Sequence, residues 1–470
     1  MKIAALDNPV RASWLANQGF RLDPGPYVSE AYAARMLLQH YPRTQLLGEV
    51  TERIFHAGRF RRQWTTDPQH GVPFLGSADI FQADLSNLQM ITKKSVAENA
   101  KLPLEPGWTL ITCSGMTSGR VTYSRLSMKG YACSQDVMRV VPDTQKIPAG
   151  YLYTFLAGSL GVSMIKGGVY GTSVRHLEPS HVLDIPVPRI GEFKESQIDA
   201  LIGEAMKLRQ RFEDEVSAAT RDLFESAGIP ELLDLRWHDQ PRDINFSVSG
   251  LTPMTIRALN FTPRTRQILS RLSEIPHRTM GDICRDGRLA RGNRFKRVES
   301  DSENGVQLVG QRQGFWLRPE GRRILMSEDE QRAVKAVNET VLIASQGTLG
   351  EGEVFCRPVF AAGSWIEKYV FSEHFLRIVS GDPEFSGAYL FAFLRSEAAF
   401  RILRSLATGG KQQDIHEVLR TEIPVPECTP SDRERISETV RAAYRDRDEA
   451  DKKEDQAFKL LDDAVREAAR

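Results

Sequence analysis

The chain states one pattern twice. Leu47-Gly48-Glu49-Val50 returns as Met280-Gly281-Asp282-Ile283, and Arg59-Phe60-Arg61-Arg62 returns as Arg294-Phe295-Lys296-Arg297. Gly71, Gly76 and Phe81 return as Gly305, Gly310 and Phe315, and Leu110-Ile111 with Gly115 returns as Leu342-Ile343 with Gly347. Tyr151-Leu152-Tyr153-Thr154-Phe155-Leu156 returns as Tyr389-Leu390-Phe391-Ala392-Phe393-Leu394. Ile185-Pro186-Val187-Pro188 returns letter for letter as Ile423-Pro424-Val425-Pro426. The matches keep their order along the chain, which scattered apolar coincidences would not do. Two long copies do not make a solenoid, whose units run about 20–50 residues. They predict a duplicated domain, a pseudo-two-fold chain suited to a partner that offers two similar half-sites.

A length of 470 residues allows two to four domains with their own cores. The start of the chain meets charge at Lys2 and Asp7 before any signal core could form, and no apolar run is long enough to span a bilayer, so a cytoplasmic protein is expected. Five scattered cysteines without a C-x-x-C spacing fit a reducing compartment and argue against a zinc site or a disulfide framework. The net charge of +1 hides a division. Residues 192–228 hold nine acids against five bases, and residues 430–470 twelve against ten, which leaves the remainder at +7. That excess suits a phosphate-facing surface, and equally an ordinary protein with two acidic helices.

Each Ile-Pro-Val-Pro is followed by a long helical pattern. Ile198, Leu201, Leu208, Phe212 and Leu223 fall on one stripe, and Ile436, Val440 and Leu461 with several alanines fall on another, with Arg447 and Glu454 as polar members. Steps alternating between three and four are those of a coiled-coil seam. Thr429 offers an N-cap to the second helix, and Gly228-Ile229-Pro230 stops the first. The two seams would satisfy each other if paired antiparallel. A helix of about 35 residues spans roughly 50 Å. Strands are expected at 109–112, 137–141, 341–344 and 375–379, and helices at 29–40, 150–158 continuing towards 166, and 386–406. The expected fold is mixed α/β (α+β) globular domains, tandem and duplicated, with two long helices forming an antiparallel coiled coil.

Several catalytic patterns are incomplete. The run ending Gly409-Gly410-Lys411-Gln412 has Ser405 where a phosphate-binding loop needs glycine and Gln412 where it needs a hydroxyl. Asp7-Asn8-Pro9-Val10 lacks the second proline and the aromatic of an amino-methyltransferase pocket. No spaced carboxylate triplet with a lysine suggests a nuclease, and the five-residue spacing of His176 and His181 is poor metal geometry. Neither catalytic residues, metal nor cofactor is expected. Binding chemistry is present instead. Arg59, Arg61, Arg62 and Gln63 beside Trp64 form a basic, aromatic cluster, echoed by Arg294, Lys296 and Arg297 with Arg291 and Asn293. Such side chains can bridge phosphates or read base edges, and they also decorate ordinary solvated surfaces. Polar loops add Ser114, Thr117, Ser118 and Arg120, then Ser173 and Arg175, then Gln311, Arg312 and Gln313, and finally Lys411, Gln412 and Gln413. Lys411 could equally satisfy a helix C-terminus. The copies diverge most in these loops, as two different half-site readings would require.

With these elements in place, the chain resembles the specificity subunit of a type I restriction–modification system, or of a related phage-defence system on the same plan. The likeness covers nearly the whole length. It rests on the alternation of variable domain and long helix, and on the Tyr-Leu-x-x-Phe-Leu helix, polar loop and Ile-Pro-x-Pro that close each domain. The resemblance implies a first target-recognition domain over 1–190, a spacer helix over 191–228, a second recognition domain over 229–428 and a second spacer over 429–470. It implies two domains that each read half of a bipartite site in double-stranded DNA. It also implies helices that dock two adenine-methyltransferase subunits, and a restriction or motor subunit joining that core. A protein-binding scaffold, or the recognition part of a fused methyltransferase or endonuclease, remains the alternative. The first 45 residues and the stretch 237–260 exceed the family pattern, and the loop after Ile165 carries Tyr170 in place of the usual lysine.

Overall fold

Both Ile-Pro-Val-Pro runs end as short strands that close a unit. The computed structural model describes residues 30–468 except 172–174, 250, 252, 253, 302 and 303, together with the isolated positions 12, 15, 22 and 27. The run at residues 7–10, the loop residue Ser173 and the first residue of the helix expected at 29–40 lie outside the described residues. The chain divides into two compact units, residues 1–210 with 449–470, and residues 211–448.

In the first unit, β1 (Thr44–Leu46) pairs antiparallel with β10 (Pro186–Pro188). The main sheet is antiparallel, in the order β2 (Thr51–Phe55), β9 (Val137–Pro142), β6 (Thr109–Thr112), β7 (Val121–Tyr123). A smaller sheet runs β3 (Trp64–Thr65), β5 (Met90–Thr92), β4 (Gly71–Leu75), β8 (Ala132–Cys133), its last pair parallel. The second unit repeats this plan. β11 (His277–Thr279) pairs with β22 (Pro424–Pro426). Its main sheet is β12 (Arg288–Arg291), β19 (Phe375–Val379), β16 (Thr340–Ala344), β17 (Pro358–Ala361). Its smaller sheet is β13 (Val298–Glu299), β15 (Arg322–Leu325), β14 (Val306–Val309), β18 (Tyr369–Phe371), again ending in a parallel pair. A hairpin of β20 (Ala407–Gly409) and β21 (Gln413–Ile415) completes the unit. The central strands β6 and β16 are buried at every residue, so their apolar runs show no alternation.

Helices follow the expected order with two breaks. α1 (Glu30–Gln39) precedes β1. The helix expected from 150 divides at Gly158 into α2 (Ala149–Ala157) and α3 (Ser159–Gly168), because Gly158 turns to extended backbone at φ −71°, ψ 171°. The helix expected over 386–406 divides into α5 (Gly387–Leu394) and α6 (Glu397–Ser405), where the Ser396 hydroxyl accepts from the Ala399 N–H and caps a new start. The long helices are α4 (Glu192–Ser226) and α7 (Pro430–Ala468). Thr429 caps α7 by accepting from the Asp432 N–H at 3.2 Å, and Gly228 follows α4 at φ +69°. Among the described residues, no helix is long and apolar enough to cross a membrane.

α4 and α7 run antiparallel within each unit. In the first unit Lys194 meets Glu467 at 3.5 Å and Lys453 meets Glu204 at 2.9 Å. In the second Arg211 meets Asp446 at 2.9 Å and Arg435 meets Asp222 at 2.7 Å. Ile198, Phe212, Leu223, Ile436, Val440 and Leu461 are buried as the stripe requires. Leu201 and Leu208 are only half-buried, while Ile202 and Arg209 beside them are covered. The covered stripe runs Ile198, Ile202, Ala205, Arg209, Phe212, Val216, Ala219 and Leu223, a regular alternation of four and three. The seam therefore takes the residue after the expected one at two turns, and Arg209 lies where Leu208 was expected. In the first unit Tyr151, Leu152 and Phe155 of α2 share a core with Ile198 and Ile202 of α4 and Ala457, Leu461 and Val465 of α7.

Candidate nucleic-acid interface

In the first unit, four segments meet where β6 leaves the sheet. Gly115 and Gly119 take φ of +77° and +82°, a region glycine enters at little cost, and they fold the chain back after Ser114. The Gly115 N–H donates to the Arg175 carbonyl at 3.3 Å, and Tyr170 and His176 exchange backbone hydrogen bonds at 2.9 and 2.8 Å. The turn between β8 and β9 binds these parts to the basic cluster. Ser114 donates to Asp136 at 3.0 Å, Ser134 donates to the other oxygen of Asp136 at 2.9 Å, and Arg62 donates to Gln135 at 3.3 Å. Arg62 also lies over the Phe74 ring at 5.0 Å, and Trp64 packs edge-on to Phe74 at 5.4 Å while remaining 50% exposed.

The second unit builds the same junction from different residues. The Gly347 N–H donates to the Gln413 carbonyl at 3.3 Å, matching Gly115 and Arg175. Arg297 donates to Glu373 at 2.6 Å, matching Arg62 and its turn. Burial opposes ionisation of Glu373, but its own backbone N–H, Arg297 and His374 prevail and hold its carboxyl below the ordinary range. The side chain of Gln311 clamps the backbone of Gln346. It donates to the Gln346 carbonyl at 2.7 Å and accepts from the Gln346 N–H at 3.0 Å. Gln412 donates to the Gln346 side-chain oxygen at 3.5 Å.

Under each junction lies a buried arginine. Arg139 donates to the carbonyls of Cys133, Ser134 and Val137, and Arg377 to those of Val334, Lys335 and Phe371. Desolvation lowers the pKa of both. Arg377, which also faces Arg288, falls to about 10. Fixed positive charge therefore sits beneath both candidate surfaces.

The sequence-derived candidates separate into two groups. Arg59, Arg61, Arg175, Arg294, Lys296, Arg312 and Lys411 are exposed, and their side chains have no hydrogen-bond or ion-pair partner among the described residues. Lys411 stands at the tip of the β20–β21 hairpin and not at a helix C-terminus. Others serve the loops themselves. Ser118 is buried and donates to the Gly115 carbonyl at 2.7 Å. Gln413 is buried, donating to the Gly410 carbonyl and accepting from Arg257 at 2.8 Å. The Thr117 carbonyl accepts from the Thr112 hydroxyl, the Arg120 N–H donates to the same hydroxyl at 3.1 Å, and Gln63 accepts from Thr92 at 3.4 Å. Gln313 is half-buried. Gln346, Asp136 and Glu373 escaped the sequence reading, although Gln346 stands directly before the repeated Gly347, as Ser114 stands before Gly115. Among the described residues, no cluster of three His, Cys, Asp or Glu side chains could hold a metal ion.

No protein-family model matches the chain, and no curated protein matches it. Among solved structures it is similar to the S subunit of a type-I restriction-modification system from M. genitalium, at 12% identity, 91% and 95% coverage of this chain and that one, and a TM-score of 0.33. It is also similar to a chain from a structure of complex assembly and conformational transition of the type I R-M system, at 12% identity, 91% and 97% coverage and a TM-score of 0.26. A third similarity is to the HsdS subunit from Thermoanaerobacter tengcongensis, at 10% identity, 91% and 96% coverage and a TM-score of 0.26. Superpositions this loose carry no argument about fold or function, which rest on the chain's own residues.

Proposed function

We propose that the chain is a non-catalytic DNA-recognition subunit. Each unit reads one half of a bipartite duplex site through its junction of basic cluster, strand-end loop and hairpin. The paired long helices set the gap between the halves and dock two adenine-methyltransferase subunits, with a restriction or motor subunit joining them in restriction–modification or phage defence. One observation carries this reading: the two units share strand order and junction geometry, yet the polar side chains at the junctions differ. A frame kept while its loops change is what reading two different half-sites demands. Exposed arginines in both units, joined by lysines in the second, add the phosphate contacts that position such a reader.

The test is a genome-wide map of methylated adenines in cells with and without this gene. A bipartite motif methylated only when the gene is present supports the reading, and identical maps overturn it. Purified chain should also bind duplex with an affinity that falls steeply with salt, because neutralised phosphates release counterions. A salt-independent chain that captures protein instead would favour a scaffold.

A further inference from the structure

The frame of the first unit folds without the amide network found in the second. Gln311 follows Gly310 as Ser77 follows Gly76, Gln346 precedes Gly347 as Ser114 precedes Gly115, and Gln412 precedes Gln413 as Val174 precedes Arg175. The three glutamines are therefore not needed to close the junction. They are nevertheless ordered into a chain of contacts, in which Gln311 holds the Gln346 backbone at 2.7 and 3.0 Å and Gln346 holds the Gln412 amide at 3.5 Å. Gln412 is exposed, beside the uncommitted cation Lys411, whereas Gln311 and Gln346 are half-buried.

Resting on the DNA-recognition reading, we propose that Gln412 reads an adenine in the half-site of the second unit, with Gln346 and Gln311 as its positioning residues. The Gln412–Gln346 bond uses one N–H of Gln412 and leaves its carbonyl and its other N–H for a ligand. Adenine shows the major groove a donor at N6 beside an acceptor at N7, the complement of that amide edge. Guanine shows two acceptors, one of which would face the Gln412 carbonyl, and cytosine offers only a donor. Anchoring the Gln346 backbone fixes the point from which its side chain reaches Gln412, and the contact they make leaves the reading groups unused.

The test compares methylated-adenine maps, in cells holding the complete system, for Gln412→Ala, Gln346→Ser and Gln311→Ser. The two serine variants install the residues the first unit carries at those places, so the frame tolerates them. Each variant should relax the requirement at one A·T pair of one half-site, lower methylation of the original motif by on the order of tenfold, and leave the other half unchanged. In a binding assay, duplex with 7-deazaadenine at that position should bind wild-type chain about tenfold more weakly, while Gln412→Ala binds both duplexes alike. An unchanged motif in all three variants overturns the inference and leaves the DNA-recognition reading intact. So does a relaxed G·C pair, or an equal fall at every position of both halves. A methylation map indifferent to the whole gene overturns both.

Discussion

Tyr151 and Tyr389 occupy the same point of the two units and do the same work. Each is buried and donates its hydroxyl to the carbonyl of a strand's last proline, Tyr151 to Pro188 and Tyr389 to Pro426 at 2.8 Å. Removing the hydroxyl strands a buried acceptor, which costs about 1–3 kcal/mol. Tyr151→Phe and Tyr389→Phe should each lower unfolding free energy by about that amount in urea titrations. The five cysteines offer a pH test. All are buried, and desolvation raises every thiol from the ordinary 9.0, to about 12 for Cys113, 11 for Cys133 and 12 for Cys284. Above that ordinary value the unfolded chain loses thiol protons that the folded chain retains. Stability present at lower pH should therefore drain as pH rises from 9 towards 11, and replacing Cys113 and Cys133 by alanine should flatten the slope. At pH 8 the native thiols should resist alkylation that denaturant permits. At this scale the sequence was only partly legible. It exposed the repeated tyrosines by their spacing, but Arg139 and Arg377 look like surface residues until the carbonyls that surround them are known.

The strands were the most legible elements, since four apolar runs expected as strands form the hearts of the main sheets. The smaller sheets were not, because β3 and β13 hold two residues each and such short pairs leave no periodic trace. The long helices were visible in outline, and the order of the four- and three-residue steps in the first stripe was not. Arg209 is fully covered, donating to Asp451 at 2.5 Å and Glu454 at 3.4 Å, while Tyr123 donates to Glu454 at 3.0 Å. Burial works against the charge on Arg209, but Glu454, Asp451 and Tyr123 outweigh it and raise its pKa. Removing one partner of such a group leaves a buried carboxylate uncompensated, typically costing about 3–5 kcal/mol. Arg209→Met should cost that much in chemical denaturation. Arg209→Met combined with Asp451→Leu and Glu454→Leu should recover much of it, since the charges then leave together.

For the whole molecule, the duplication was plain from the order of matched motifs, and the structure adds that strand order and junction hydrogen bonds were duplicated with it. Which side chains reach a partner was less legible, because loop geometry turns Ser118 and Gln413 inward while leaving Arg175 and Gln412 outside. If the long helices set the gap between half-sites, removing seven residues from each should preserve their facing stripes. Methylation mapping should then return both half-sites unchanged and a different number of bases between them. Altered half-sites would count against the spacer role. The first unit has a further property: it is assembled from residues 1–210 and 449–470, with the second unit, 211–448, inserted between. Its core lacks Ala457, Leu461 and Val465 until they have been synthesised. The amino-terminal module therefore cannot complete its core until the segment from residue 449 has been made, and a chain truncated before that residue would leave an open apolar face.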